Sequence, residues 1–209
     1  QWAPRFLRVA MGLATLNIIW LYPATRNIHT AASVLALEMT DRLRLSVTSY
    51  LATALNELNQ ASDELALEPG RRTFVLNRLL KGNNGFREIA LVDAAGRETM
   101  RVDRLRIVRE SDLKEHSGTS YFNEAIRGTP NFGEVFITPD GEPHVMLAAP
   151  VPGAEKTEGV LIAVLNLRSL IPAINNLRIE KASAYVVERQ GFLIATPDIT
   201  QLLRRPNLL

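Results

Sequence analysis

Between Thr30 and Glu68 the chain contains no proline and no glycine, and Pro69-Gly70 then ends the run. Met39, Leu43, Val47, Leu51, Leu55, Leu58, Ser62 and Leu65 follow one another at spacings of three and four. That is the period of one helix face. Asp41, Arg42, Arg44, Asn56, Glu57, Asp63 and Glu64 fall mostly off the stripe. About 38 helical residues would extend about 57 Å at 1.5 Å each. Such a helix is longer than a compact domain is wide, so it must run along several packed units or pair with another chain. A second, short helix is expected at Thr73 to Leu80, ended by Lys81-Gly-Asn-Asn-Gly85.

After Gly85 the pattern changes to short strands. Ile89 to Val92 and Glu98 to Val102 flank Asp93-Ala-Ala-Gly96, a hairpin turn with glycine available for positive φ. Tyr121 to Arg127 reads as a short helix before Gly128. Three more strands are expected, at Gly133 to Thr138, His144 to Val151 and Gly159 to Leu167, punctuated by Asp140-Gly141 and Pro152-Gly153. Arg168 to Leu177 is helix-like, broken near Pro172. The order defines an α+β fold with a largely antiparallel sheet. Val92-Asp-Ala-Ala-Gly96 is echoed by Val187-Glu-Arg-Gln-Gly191, about 95 residues later. The echo suggests a second module of the same type; a hairpin signature this short also recurs by chance. The residues left after it are too few to close a sheet, so a truncated or rudimentary module is expected at 181–209.

Val9 to Thr25 carries no charge, follows Arg5 and Arg8, and places Trp20 and Tyr22 at its far end. A 17-residue helix spans about 25 Å, the short limit for a bilayer core of about 30 Å. Residues 1–29 are therefore expected to be a membrane segment or membrane-adjacent helix; a buried helix of a soluble domain is the alternative. No Ala-x-Ala-like site closes the run, which argues against a cleaved signal peptide. The chain begins at Gln1 and reads as a piece of a longer protein.

Composition narrows the chemistry. The formal net charge is +2, with basic residues scattered, so the dense basic stripe of a nucleic-acid binder is missing. There is no cysteine, which removes disulfides, thiolate metal sites and a cysteine nucleophile. No phosphate loop, Gly-x-Ser-x-Gly or His-Glu-x-x-His stands in the sequence, and His29, His116 and His144 lack metal-ligand spacing. His144, in an expected strand, is either a pocket residue or an ordinary strand histidine. Asp93 and Asp140 read as turn residues. Arg97, Arg101, Arg104, Arg106 and Arg109 are either an anion-binding cluster or a solvated face balanced by Glu98, Asp103 and Glu110. Tyr121 and Phe122 line a pocket or pack a short helix on the sheet.

The sequence Ile89-Ala-Leu-Val-Asp-Ala-Ala-Gly-Arg-Glu98 is followed by Tyr121-Phe-Asn-Glu-Ala-Ile-Arg-Gly128, then by Gly141-Glu-Pro-His-Val-Met-Leu-Ala-Ala-Pro-Val151. Gly159-Val-Leu-Ile-Ala-Val-Leu-Asn-Leu167 and Ala184-Tyr-Val-Val-Glu-Arg-Gln-Gly-Phe-Leu-Ile-Ala-Thr-Pro-Asp198 complete the series. In this order the elements resemble the double Cache family of PAS-like bacterial sensors. These occur in histidine kinases, chemoreceptors and cyclic-dinucleotide enzymes. The resemblance implies a long stalk helix and short helix at 30–85, a membrane-distal Cache module at 86–180, and the opening of a membrane-proximal one at 181–209. Family members that sense amino acids carry Arg-x-Trp-Tyr at the short helix and an Asp in the last distal strand. Here Thr119, Tyr121 and Phe122 stand at the first position and Asn166 at the second. The Arg would clasp a carboxylate and the Asp an ammonium, so an α-amino-acid ligand is not implied.

Together these readings imply an extracytoplasmic sensing domain of a bacterial membrane receptor, of the histidine kinase kind, homodimeric in the full receptor and not itself an enzyme. It would need no cofactor or metal. Its expected pocket is bounded by Arg101, Tyr121, Phe122, His144 and Asn166, and suits a small polar or anionic ligand. Two alternatives stand beside it: a structural and dimerisation module without a ligand, and a hydrolase with two carboxylates facing one cleft.

Overall fold

The computed structural model describes residues 38–170, 172, 186–187 and 193–195. The chain divides into two compact units, residues 1–44 and 45–209. In the first, the described residues are helical, with exposed ion pairs from Arg42 to Glu38 and from Arg44 to Asp41. The expected membrane segment and residues 30–37 lie outside the described residues. Among the described residues no helix is long and apolar enough to cross a membrane.

In the second unit, helix α1 covers 45–67, a stretch with neither Pro nor Gly. A 3-10 turn at Pro69–Arg71 leads into α2, Arg72–Gly82. Five strands follow: β1 Phe86–Asp93, β2 Glu98–Asp103, β3 Asn131–Ile137, β4 Pro143–Val151 and β5 Gly159–Asn166. Helix α3, Ser120–Ala125, lies between β2 and β3. The sheet has the order β2-β1-β5-β4-β3, and every neighbouring pair is antiparallel. The fold is the expected α+β arrangement. Strands β6, Val186–Val187, and β7, Leu193–Ala195, pair antiparallel in a separate two-stranded sheet. They fall on the second hairpin signature.

Alternation along the strands gives the sheet two faces. Ile89, Leu91, Val145, Leu147, Ala149, Leu161, Ala163 and Leu165 project to one side and meet Ala54, Leu58, Ala61 and Leu65 of α1 and Val75, Leu76 and Leu80 of α2. Leu58, Leu76, Leu147, Leu161 and Leu165 are fully buried there. Two hydrogen bonds fasten α1 along this face. Ser62 Oγ donates to the Pro150 carbonyl at 2.6 Å, and Tyr50 Oη donates to the Asn166 carbonyl at 2.8 Å. The helical stripe is thus largely satisfied inside the module from Val47 to Leu65.

The β1–β2 turn forms as the sequence indicates. Asp93 Oδ1 accepts from the Ala95 and Arg97 backbone N–H groups at 2.9 Å each, and Gly96 takes φ 90°. The Arg97 N–H bond is the main cause holding the Asp93 carboxyl below its ordinary range. A side chain at Gly96 would also strike the Ser117 backbone at 2.6 Å. That turn therefore admits the loop that carries His116.

Candidate functional site

The other face of the sheet is covered by α3. Phe122 and Ala125 pack on a floor of Val92, Ala148, Val160 and Ile162, with Tyr121, Ile126 and Met146 around it. Tyr121 crosses close to β3. A methyl at Gly133 would lie 2.8 Å from Tyr121 Cδ1 and 2.9 Å from Met146 Cβ, so the ring needs glycine at this position.

Strand β2 brings charge to this face. Ala90 opposes Arg101 and Leu91 opposes Met100, but Val92 opposes Glu98, because Thr99 is the extra residue of a β-bulge. In a regular strand, residues three apart point to opposite faces. The bulge rotates Glu98 onto the side of Arg101, and both are buried. Glu98 Oε1 accepts from Arg101 Nη2 and sits 2.7 Å from His116 Nε2, while Oε2 accepts from the Lys114 backbone N–H at 3.0 Å. His116 Nδ1 lies 2.9 Å from the Tyr121 hydroxyl, with the rings edge to face at 5.9 Å. A buried polar chain therefore runs from α3 to β2: Tyr121, His116, Glu98, Arg101.

The surroundings set the charge states. Burial acts to raise the Glu98 carboxyl, but the bonds from His116, Arg101 and the Lys114 N–H outweigh it and hold the group below its ordinary value. Burial pushes the Tyr121 hydroxyl up, keeping it a neutral O–H. Glu88 bridges two cations, with Oε2 at 3.7 Å from Arg101 Nη1 and Oε1 at 3.8 Å from Lys114 Nζ. Arg101 Nε and Nη1 are buried and have no hydrogen-bond partner. Burying guanidinium N–H groups without acceptors is costly, and such donors mark places where an acceptor fits.

The five residues expected to bound one pocket fall into two groups. Arg101 and Tyr121 belong to the polar chain, and Phe122 to the apolar floor beside it. His144 and Asn166 face each other across β4 and β5. Strands β1 and β5 stand between β2, which carries Arg101, and β4, which carries His144. His144 is fully buried and stacked on Phe136 at 5.8 Å. Its Nδ1 is 3.1 Å from the Glu142 carbonyl, and its Nε2 has no partner. Asn166 is committed locally: Nδ2 donates to Glu142 Oε2 at 2.8 Å, and Oδ1 accepts from the Arg168 N–H at 2.7 Å.

Glu88, Glu98, His116 and Gly133 were not singled out from the sequence as site residues. The arginine cluster divides. Arg97 pairs with Asp93 and Arg106 with Asp103, Arg104 donates to the carbonyls of Leu80, Asn83 and Phe86, and Arg101 alone is inside. Asp140-Gly141 forms a turn, with Gly141 at φ 80°. Glu88 and Glu98 do face one side, but Glu98 is held ionised, whereas a general acid requires a raised pKa. Among the described residues no group of His, Asp and Glu could hold a metal ion.

A long helix, a five-stranded antiparallel sheet and a short helix closing a buried polar site define a sensor-type α+β module. The chain belongs to the Cache domain family, whose model matches residues 24–208. Cache domains are extracytoplasmic, non-catalytic ligand-binding sensors. No curated protein matches the chain. Among solved structures it is similar to the ligand-binding domain of the Pseudomonas aeruginosa amino acid chemoreceptor PctC, in complex with GABA, at 19% identity and a TM-score of 0.66, covering 82% of each chain. The P. aeruginosa chemoreceptor PctB domain, in complex with L-Arg, matches at 21% identity and a TM-score of 0.58, over 76% of this chain and 68% of that one. The Pseudomonas fluorescens chemoreceptor CtaA domain, in complex with L-valine, matches at 19% and 0.57, over 76% and 72%. At these identities the likeness establishes the fold.

Proposed function

We propose that this chain is the extracytoplasmic sensing region of a bacterial transmembrane receptor, of the sensor histidine kinase kind. It binds a small polar or anionic molecule on the α3 side of the sheet. The observation that carries this reading is the buried Arg101 guanidinium, with Nε and Nη1 lacking acceptors, beside an apolar floor under a short helix. The similar structures from P. aeruginosa and P. fluorescens hold GABA, L-Arg and L-valine, all small and polar. Residues 1–29 serve as a membrane segment or membrane-adjacent helix, 30–85 as stalk and short helix, 86–180 as the distal module and 181–209 as the start of the proximal one.

A thermal-shift screen of the chain against small polar compounds tests the sensing role. At least one compound should raise the melting temperature in the wild type and not in Arg101→Gln. A screen in which nothing binds the wild type, or in which Arg101→Gln responds equally, contradicts it. The kinase assignment is tested by incubating the complete receptor in membranes with labelled ATP. Phosphohistidine should form; its absence contradicts that part. The receptor acts as a homodimer with α1 near the axis. Single cysteines from Arg42 to Gln60 should cross-link every three to four positions, and a flat profile would count against it.

A further inference from the structure

The described carboxylates that are buried or half-buried around this site are each already matched to a cation, and Glu115 and Glu124 are exposed. Glu98 is held by Arg101, His116 and the Lys114 N–H, and Glu88 by Arg101 and Lys114. Asp103 is held by Arg106, and Glu142 by Arg168 and Asn166. Asn166 itself is neutral, and its carbonyl oxygen is taken by the Arg168 N–H. An ammonium buried here would meet no uncommitted buried acid. At Glu88, the least tightly held, it would sit beside the Arg101 guanidinium and the Lys114 ammonium. The free capacity runs the other way. Arg101 faces two carboxylates, Glu98 through Nη2 and Glu88 at 3.7 Å from Nη1, and both are shared with other donors. Its Nε and Nη1 still carry N–H groups without acceptors. The floor beneath is short and aliphatic, built from Val92, Val160, Ile162 and Ala148.

Resting on the sensing role argued above, we infer that the ligand is a small aliphatic or keto carboxylate that carries no ammonium, with its carboxylate accepting from Arg101. The aliphatic part lies on the floor beneath Phe122. Amino acids are excluded by the missing acceptor for their ammonium, because burying it unpaired costs more than the carboxylate contact returns.

Isothermal titration calorimetry of the purified chain with matched pairs tests this: propionate against L-alanine, butyrate against GABA, and propionate against propionamide. At least one amine-free carboxylate should bind, and its amine-bearing partner at least about tenfold more weakly. Propionamide should also bind about tenfold more weakly, having lost the charge. In ¹⁵N-labelled wild type, an arginine Nε–H resonance missing from Arg101→Lys should move on adding the carboxylate. This reading needs no binding by a variant that may fold poorly. Equal binding of L-alanine or GABA overturns the ligand class and leaves the sensing role intact. Equal binding of propionamide overturns the anionic requirement alone. Carboxylate binding that leaves the Arg101 resonance unmoved overturns the site. If none of the carboxylates binds while the broader screen finds another ligand, the inference fails and the sensing role stands; if neither finds one, both fail.

Discussion

The two faces of the five-stranded sheet come from the same backbone, and alternate residues of β1, β4 and β5 serve each. On the α1 and α2 side the strands supply Ile, Leu and Val, and the helices return leucines and alanines. On the α3 side the floor narrows to Val92, Ala148, Val160 and Ile162, and β2 adds Arg101 and Glu98. One face removes apolar area from water and asks nothing more of its residues. The other buries charge, which is justified energetically only where each charge finds partners. Glu98 has them. Two nitrogens of Arg101 do not. Stability should therefore reside mainly on the first face and recognition on the second.

The largest expected effect comes from breaking the first face. Leu58→Ala removes a fully buried side chain and should lower the unfolding free energy by about 3 kcal/mol, measured by urea denaturation. Ligand affinity of the folded fraction should stay within about twofold, because Leu58 lies across the sheet from α3. A large affinity loss would mean that the faces are not separable.

Glu98→Gln acts on the second face. It weakens the bonds to His116 and Arg101 and should cost about 2 kcal/mol. The pH dependence follows from the depressed Glu98 pKa. The native state binds fewer protons there than the unfolded one, so this stabilisation is full above the ordinary value of 4.5 and lost as pH falls through the lower folded value. Between 4.5 and that lower value, stability measured by denaturation should fall more steeply with pH in the wild type than in Glu98→Gln. Parallel acid limbs would show that Glu98 is not held as described.

The smallest effect, about 1 kcal/mol, is expected from Gly133→Ala. Its methyl would lie 2.8 Å from Tyr121 Cδ1, so the ring must shift and drag its hydroxyl from His116. Binding should weaken more than stability, which sharpens the contrast between the faces. An unchanged affinity would separate the Tyr121 position from recognition.

Most of the fold was legible because it rests on the period of one helix and on turn residues that bound short apolar runs. The absence of Pro and Gly before Pro69, and short apolar runs bounded by turn residues at β1, β4 and β5, place α1 and the sheet directly. The ends of the strands moved by only a few residues, as at β1, which starts at Phe86 and not Ile89. The site was less legible. Glu98 and Arg101, three apart in a strand, should point opposite ways, and only the bulge at Thr99 unites them. Nothing in Glu98-Thr-Met-Arg101 announces that extra residue. His116 had no spacing to mark it, because its partners come from β2 and α3. His144 and Arg101 were grouped because both lie in strands near the expected ligand. Lateral strand order, which puts β1 and β5 between them, is a long-range property that local pattern does not encode.

The most direct test of the central claim is hydrogen exchange of backbone amides with and without a ligand found in the screens. Added protection should concentrate at 98–101 and 114–125, the β2 segment and the loop and helix that carry Lys114, His116 and Tyr121. The amides of Ala54 to Leu65 should slow only as far as ligand binding raises global stability. Protection centred instead on α1 and α2, with 98–101 and 114–125 unchanged, would contradict the assignment of recognition to the α3 face.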